Sequence, residues 1–290
     1  MSADARASLL APLKAVVNGA AGLVGLRISR VPTSAPTPVQ VRHIVNAHYR
    51  GHCFQCFLGD IQCEYVLRGL GWDNQLDEIL SALGSAPGDV VEIGANIGGS
   101  LVPRASEYPH LTFHCYEPVP AFFALLSANA AAFASPNVRV YNQAVTARDG
   151  EQIEIFTQLG TAGAVANYDG HRAIDTVKLS GRTLDTLAHG LNVRLIKIDT
   201  DGFELSVLRG GERTLTTDRP LIFMEFHVRL MRAAGQDPTQ LAELLKRFGY
   251  RPKKVWDNFG AVLAGATSFD ALLAHANDAQ YYVDVLLESP

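Results

Sequence analysis

The chain has 290 residues, 48% of them apolar and 19% charged, which is enough to bury a core and excludes a disordered chain. Its 25 Lys and Arg against 29 Asp and Glu give a formal charge of −4 and no generic attraction for a polyanion, so nucleic acid is not the expected partner. Three of the four cysteines crowd between Cys53 and Cys63, the fourth being Cys115, which is not the pattern of a disulfide-stapled domain. Collagen, a coiled coil and a transmembrane bundle are also excluded, and a soluble α/β protein of the reducing cytoplasm is expected.

Residues 1–38 read as an N-terminal helix followed by a linker. Ser8 to Arg30 is rich in Ala, Leu, Val and Gly, but Lys14 interrupts it and the longest uncharged run, Ala15 to Leu26, is too short to span a bilayer. It lacks the basic start and unbroken apolar stretch of an export signal, so an ordinary helix packing on the main domain or on a second copy in a homodimer is expected, with no membrane insertion. Val31 to Pro38 carries three prolines and reads as a stiff extended linker.

Residues 39–88 read as an accessory segment. Val39 to Val45 suggests an edge strand, Phe54 to Leu58 its hairpin partner, and Gln75 to Leu83 a helix with Leu76, Ile79, Leu80 and Leu83 on one face. Cys53 and Cys56 form a CxxC near His48 and His52, which prompts zinc. No second ligand pair follows and the run is apolar, so buried core thiols are the better reading.

From Asp89 to the C-terminus short apolar runs alternate with helical stretches. Val90 to Ile93, Leu111 to Tyr116, Val138 to Tyr141, Leu195 to Ile198, Leu221 to Phe226 and Tyr281 to Leu287 read as strands. Ser100 to Tyr108, Ala121 to Phe133, Thr183 to His189, Leu205 to Leu215 and Thr239 to Phe248 read as helices. This alternation implies a mostly parallel sheet covered on both faces, with ligands bound beyond the carboxyl ends of its strands.

Two strand ends stand out. Glu92-Ile-Gly94-Ala95-Asn96-Ile-Gly98 is a glycine turn that lets a ligand approach the backbone. Asn96 occupies the place of a glycine in the dinucleotide fingerprint, which disfavours NAD. Glu117 ends the second strand, where a carboxylate can accept hydrogen bonds from both hydroxyls of a ribose.

With Tyr116-Glu117-Pro118 and Asn142-Gln143-Ala144, this turn resembles the cofactor half of class I S-adenosylmethionine-dependent methyltransferases. Leu195-Ile-Lys-Ile-Asp199-Thr-Asp201-Gly-Phe-Glu204, preceded by Leu184-Asp185-Thr-Leu187 and followed by Glu225-Phe-His227, resembles the FkbM branch. The resemblance covers about residues 70 to 287 and implies a Rossmann-like class I methyltransferase fold, with a mostly parallel seven-stranded sheet and helices on both faces. It implies S-adenosylmethionine as cofactor, held by Glu92, Gly94, Ala95, Asn96, Gly98, Glu117, Pro118, Gln143, Ala144 and Asp199. It departs from the family at Glu92, where aspartate is usual, and at Asp201, where glutamate is.

The resemblance further implies a small-molecule acceptor, a hydroxyl of a sugar or of a secondary metabolite made in natural product biosynthesis; N-methylation and a catalytically inactive scaffold are the alternatives. An alcohol must lose its proton, so a base is expected at the strand ends. His227 is the first expectation, then Asp199, with Glu225 on the same strand face as His227. A divalent cation such as magnesium on Asp199, Asp201, Glu225 and His227 is a lesser reading, and no metal ligand set is assigned. Gln152 to Thr157 and Thr176 to Leu179 read as an added strand pair. The glycine-rich stretch between them reads as a lid, with Tyr168, His171 and Arg172, like Asp201, as candidate acceptor contacts.

Overall fold

A computed structural model describes residues 43–158, 161–168, 171–279 and 282–290, with the backbone alone at 167, 168, 171 and 172. The expected N-terminal helix and proline linker lie outside the described residues.

The described chain opens with a hairpin, β1 (Ile44–Tyr49) and β2 (His52–Phe57), paired antiparallel with Tyr49 opposite His52. Helices Ile61–Leu67 and Gln75–Ala82 follow. Cys56 and Cys63 are buried in the core they share with Phe54, Leu76 and Ile79, while Cys53 is exposed. That core continues through Val90, Phe113 and Phe122, so the hairpin and both helices pack on the sheet rather than standing apart from it.

The remaining strands in chain order are β3 (Gly88–Ile93), β4 (Leu111–Tyr116), β5 (Val138–Tyr141), β6 (Ala144–Val145), β7 (Gln152–Thr157), β8 (Ala162–Gly163), β9 (Asn167–Tyr168), β10 (His171–Arg172), β11 (Asp175–Arg182), β12 (Val193–Ile198), β13 (Leu221–Phe226), β14 (Arg251–Asp257) and β15 (Val283–Glu288). The main sheet has seven strands in the order β14-β15-β13-β12-β3-β4-β5. All of its pairings are parallel except those of β15, which runs antiparallel to both β13 and β14. The interior strands are apolar because helices cover both faces, and Leu195, Ile196, Ile198, Ile222 and Met224 are fully buried.

β14, Arg-Pro-Lys-Lys-Val-Trp-Asp, has no counterpart among the apolar runs, because it is the edge strand and its charged residues point outward while Pro252, Val255 and Trp256 are buried. The helix expected over Leu205 to Leu215 is two, Glu204–Arg209 and Glu212–Thr217, interrupted at Gly210-Gly211. Between β5 and β12 a second sheet forms in the order β6-β11-β7-β8, with β7 and β11 antiparallel as the alternation suggests.

Candidate functional site

The site begins where β3 stops. Gly94 has φ +86°, and a Cβ there would lie 1.7 Å from the carbonyl oxygen of Asp199, so only glycine lets the ends of β3 and β12 come this close. The N–H groups of Gly94 and Ala95 both donate to the Tyr116 carbonyl at 3.0 Å, which ties the turn to the end of β4. Beyond it, Asn96 is left-handed (φ 48°) and its N–H donates to Glu117 Oε2 at 2.8 Å. Val119 N–H donates to Oε1 at 2.8 Å. Glu117 is buried, and burial pushes its carboxyl up to about 8 even though the two N–H groups favour the charged form.

On the other side of β3 the ends of β12 and β13 gather carboxylates. One oxygen each from Asp199, Asp201 and Glu225 lies within 4.8 Å of the others. Burial, and then the neighbouring Asp199, pushes Asp201 up to about 7 and Glu225 well above the usual carboxylate range. Asp201 is left-handed (φ 49°), accepts a hydrogen bond from the Thr161 hydroxyl, and receives the Ala164 N–H on its carbonyl at 3.1 Å. The inserted segment thereby folds against the acids.

Lys197 was not among the sequence candidates. It is 2% exposed, and its ammonium lies 3.2 Å from Asp199 Oδ2, 3.3 Å from Asp73 Oδ2 and 3.6 Å from Glu92 Oε1. Asp73 in turn accepts from the Ser100 hydroxyl at 2.5 Å. The fully buried Arg104 donates to the carbonyls of Ser100, Trp72 and Asp73 at 2.6, 3.0 and 3.2 Å. Trp72 packs edge-on to Tyr49 and stacks on Tyr65, with ring centroids 5.6 and 5.8 Å apart.

A cavity of about 550 Å³ joins these groups, a volume within the usual range of small-molecule sites. Gly94, Asn96, Glu117, Pro118, Gln143, Ala144, Asp199, Asp201 and Glu225 line it, as do Thr161 and Ala162 of the inserted segment. Ile61, Gln62, Tyr65, Trp72 and Asp73 from the N-terminal segment, and Asn258, Phe259 and Tyr282 from the C-terminal one, complete its wall. These sites of contact carry no local motif; they arise from the packing of distant segments.

Other expected site residues stand elsewhere. Ala95 and Gly98 shape the turn without lining the cavity. Glu92 is fully buried behind the wall, where burial pushes it up to about 7 against the pull of Lys197. His227 does not line the cavity either. β13 ends at Phe226, so the alternation that would place His227 beside Glu225 stops there, and His227 caps the next helix by accepting the Leu230 N–H on Nδ1 at 3.4 Å. The side chains of Tyr168, His171 and Arg172 lie outside the described residues. No described helix is long and apolar enough to cross a membrane.

The glycine cradle at Gly94, the carboxylate of Glu117 at the adjoining strand end and the acids across β3 fit an adenosyl cofactor and an acceptor held in one cavity. Comparison with known proteins gives the family. Residues 92–252 match the Methyltransferase FkbM domain family. The 31-O-demethyl-FK506 methyltransferase FkbM of Streptomyces tacrolimicus is 51% identical over 45 residues, which is 15% of this chain and 17% of that protein. Among solved structures, Methyltransferase FkbM from Methylobacillus flagellatus is 17% identical with a TM-score of 0.39, over 55% of this chain and 37% of that one. TYW2 of M. jannaschii in complex with AdoMet is 14% identical with a TM-score of 0.40, over 90% of each chain. These two structural likenesses are too low to bear on activity. The family match spans more than half of the sequence, and the chain belongs to the FkbM methyltransferase domain family.

Proposed function

We propose that the chain is an S-adenosylmethionine-dependent O-methyltransferase acting on a hydroxyl of a sugar or secondary metabolite. The observation that carries this reading is a single cavity with two chemically different ends: the Gly94 turn and Glu117 toward β4, and the carboxylates of Asp199, Asp201 and Glu225 toward β13. Buried thiols at Cys56, Cys63 and Cys115 are in keeping with a cytoplasmic setting.

The bound cofactor supplies an electrophilic methyl group on a sulfonium. In this reading Glu117 accepts hydrogen bonds from the ribose hydroxyls, the Gly94 turn gives the ligand access to the backbone, and Pro118, Gln143 and Ala144 flank the adenine. Trp72 and Tyr65 form an aromatic shelf for the acceptor, and the acids hold its hydroxyls. Positioning supplies most of the acceleration, because transfer needs the acceptor oxygen in line with the breaking bond. The hydroxyl proton passes to Asp201, whose basicity near 7 suits proton transfer at neutral pH, with Glu225 beside it in the acid cluster. His227 serves as a helix cap in this account. Lys197 pairs with Asp199 at 3.2 Å, and this reading assigns the proton transfer to side chains rather than to a divalent cation on these acids.

The test is transfer of a labelled methyl group from S-adenosylmethionine to a panel of hydroxylated sugars and natural products. Asp201→Asn is expected to slow transfer at least ~100-fold, the usual contribution of a general base, while the affinity for S-adenosylhomocysteine holds. Undiminished transfer by that variant would remove the base assignment, and label recovered on an amine would replace O- by N-methylation.

A further inference from the structure

Lysine inside an apolar parallel strand is an anomaly. An ammonium is expensive to bury and stays only where carboxylates repay its lost hydration. Lys197 sits between Ile196 and Ile198, and three acids from three separate elements meet it: Asp73 from the loop before the helix Gln75–Ala82, Glu92 from β3 and Asp199 from the end of β12. Burial opposes its charge, yet Asp73, Asp199 and Glu92 together hold its proton more tightly than an ordinary lysine does.

The cavity in front of it is walled by acids. Among the described residues that line it, Asp73, Glu117, Asp199, Asp201 and Glu225 are acidic and none is Lys, Arg or His. Lys197 lies behind this wall and touches two of the five. Among the described residues it is therefore the counter-charge to this wall.

We propose that Lys197 is a positioning residue that fixes the Asp73 and Asp199 carboxylates in the cavity wall and sets how strongly the cavity prefers a cationic ligand over a neutral one. This rests on the cofactor reading above. S-adenosylmethionine and S-adenosylhomocysteine differ by one methyl group and one positive charge, so the same ammonium tunes the discrimination between methyl donor and spent product. Without it the acids would favour the donor further; with it the neutral product competes better.

Sinefungin, in which a carbon bearing an amine replaces the sulfur bearing the methyl group, supplies the cationic probe, and S-adenosylhomocysteine the neutral one. Both are titrated calorimetrically into the full chain. Lys197→Met is expected to shift the ratio of the two affinities toward sinefungin at least about fivefold, equivalent to about 1 kcal/mol. Asp73→Asn leaves the ammonium and removes one carboxylate, so it is expected to shift the ratio the opposite way, and it decides the matter should Lys197→Met fail to fold. A purely structural lysine would weaken both ligands by the same factor, so an unchanged ratio in either folded variant overturns the proposal. Wild-type protein that binds neither probe would instead overturn the cofactor reading, and this inference with it.

Discussion

Replacing Gly94 by alanine perturbs the site through two separable effects. The first is conformational: a side chain at φ +86° costs about 1 kcal/mol or more, as left-handed backbone does for ordinary residues. The second is steric. The new Cβ would fall 1.7 Å from the Asp199 carbonyl oxygen, which is backbone and cannot swing aside, so the ends of β3 and β12 must part. Together these should cost about 3 kcal/mol, a fall of roughly 6–12 °C in melting temperature for a domain of this size. Gly190 is the control, because it has nearly the same φ (+81°) with nothing within 4 Å of its Cβ position. Gly190→Ala should show the conformational effect alone, a fall of roughly 2–4 °C. Thermal unfolding reads the stability, and calorimetry with S-adenosylhomocysteine reads the site, where moving Asp199 should weaken binding at least about tenfold. Equal melting temperatures for the two variants, or wild-type affinity in Gly94→Ala, would refute the reasoning.

Three further outcomes are expected. Glu117→Ala should raise the dissociation constant of S-adenosylhomocysteine at least about tenfold, as loss of its hydrogen bonds to the ribose hydroxyls implies, and an unchanged constant would remove the ribose assignment. Glu117 also bears on stability. Its folded pKa of about 8 exceeds the ordinary 4.5, so the folded state holds the proton longer than the unfolded chain, and stability falls as pH rises from about 4.5 through 8. Relative to Glu117→Gln, which carries a fixed cost for turning its amide NH2 toward a backbone N–H, wild type should therefore lose at least about 1 kcal/mol of stability between about pH 4.5 and 8, read from urea unfolding; the opposite trend would contradict the burial argument. Exhaustive chelation should leave methyl transfer intact, and loss restored by magnesium would assign the acids at the strand ends to a cation.

Much of the architecture was legible because its interior strands are covered on both faces and so read as unbroken apolar runs. Leu111–Tyr116, Val138–Tyr141 and Leu221–Phe226 have in the structure the limits the sequence suggests. The edge strand Arg251–Asp257 was hidden, since four of its seven residues are charged and break up the apolar run. The turn at Gly94 and the acid at Glu117 showed themselves through chemistry unusual at a strand end. Lys197 did not, because its position inside an apolar strand reads as core and its partners at 73, 92 and 199 meet it only in the fold. The signal was the anomaly itself, a lone ammonium between two isoleucines. The placement of His227 depended on β13 continuing one residue further than it does. Trp72, Phe259 and Tyr282 reach the cavity from segments far apart in sequence, which no local spacing could disclose.

The proposed function requires the cavity at the ends of β3 and β4 to hold an adenosyl ligand. Calorimetric titration of the purified chain with S-adenosylhomocysteine, with NAD in parallel, tests this most directly. Micromolar binding of S-adenosylhomocysteine alone is the predicted result. Binding of NAD in its place, or of neither, would contradict the account.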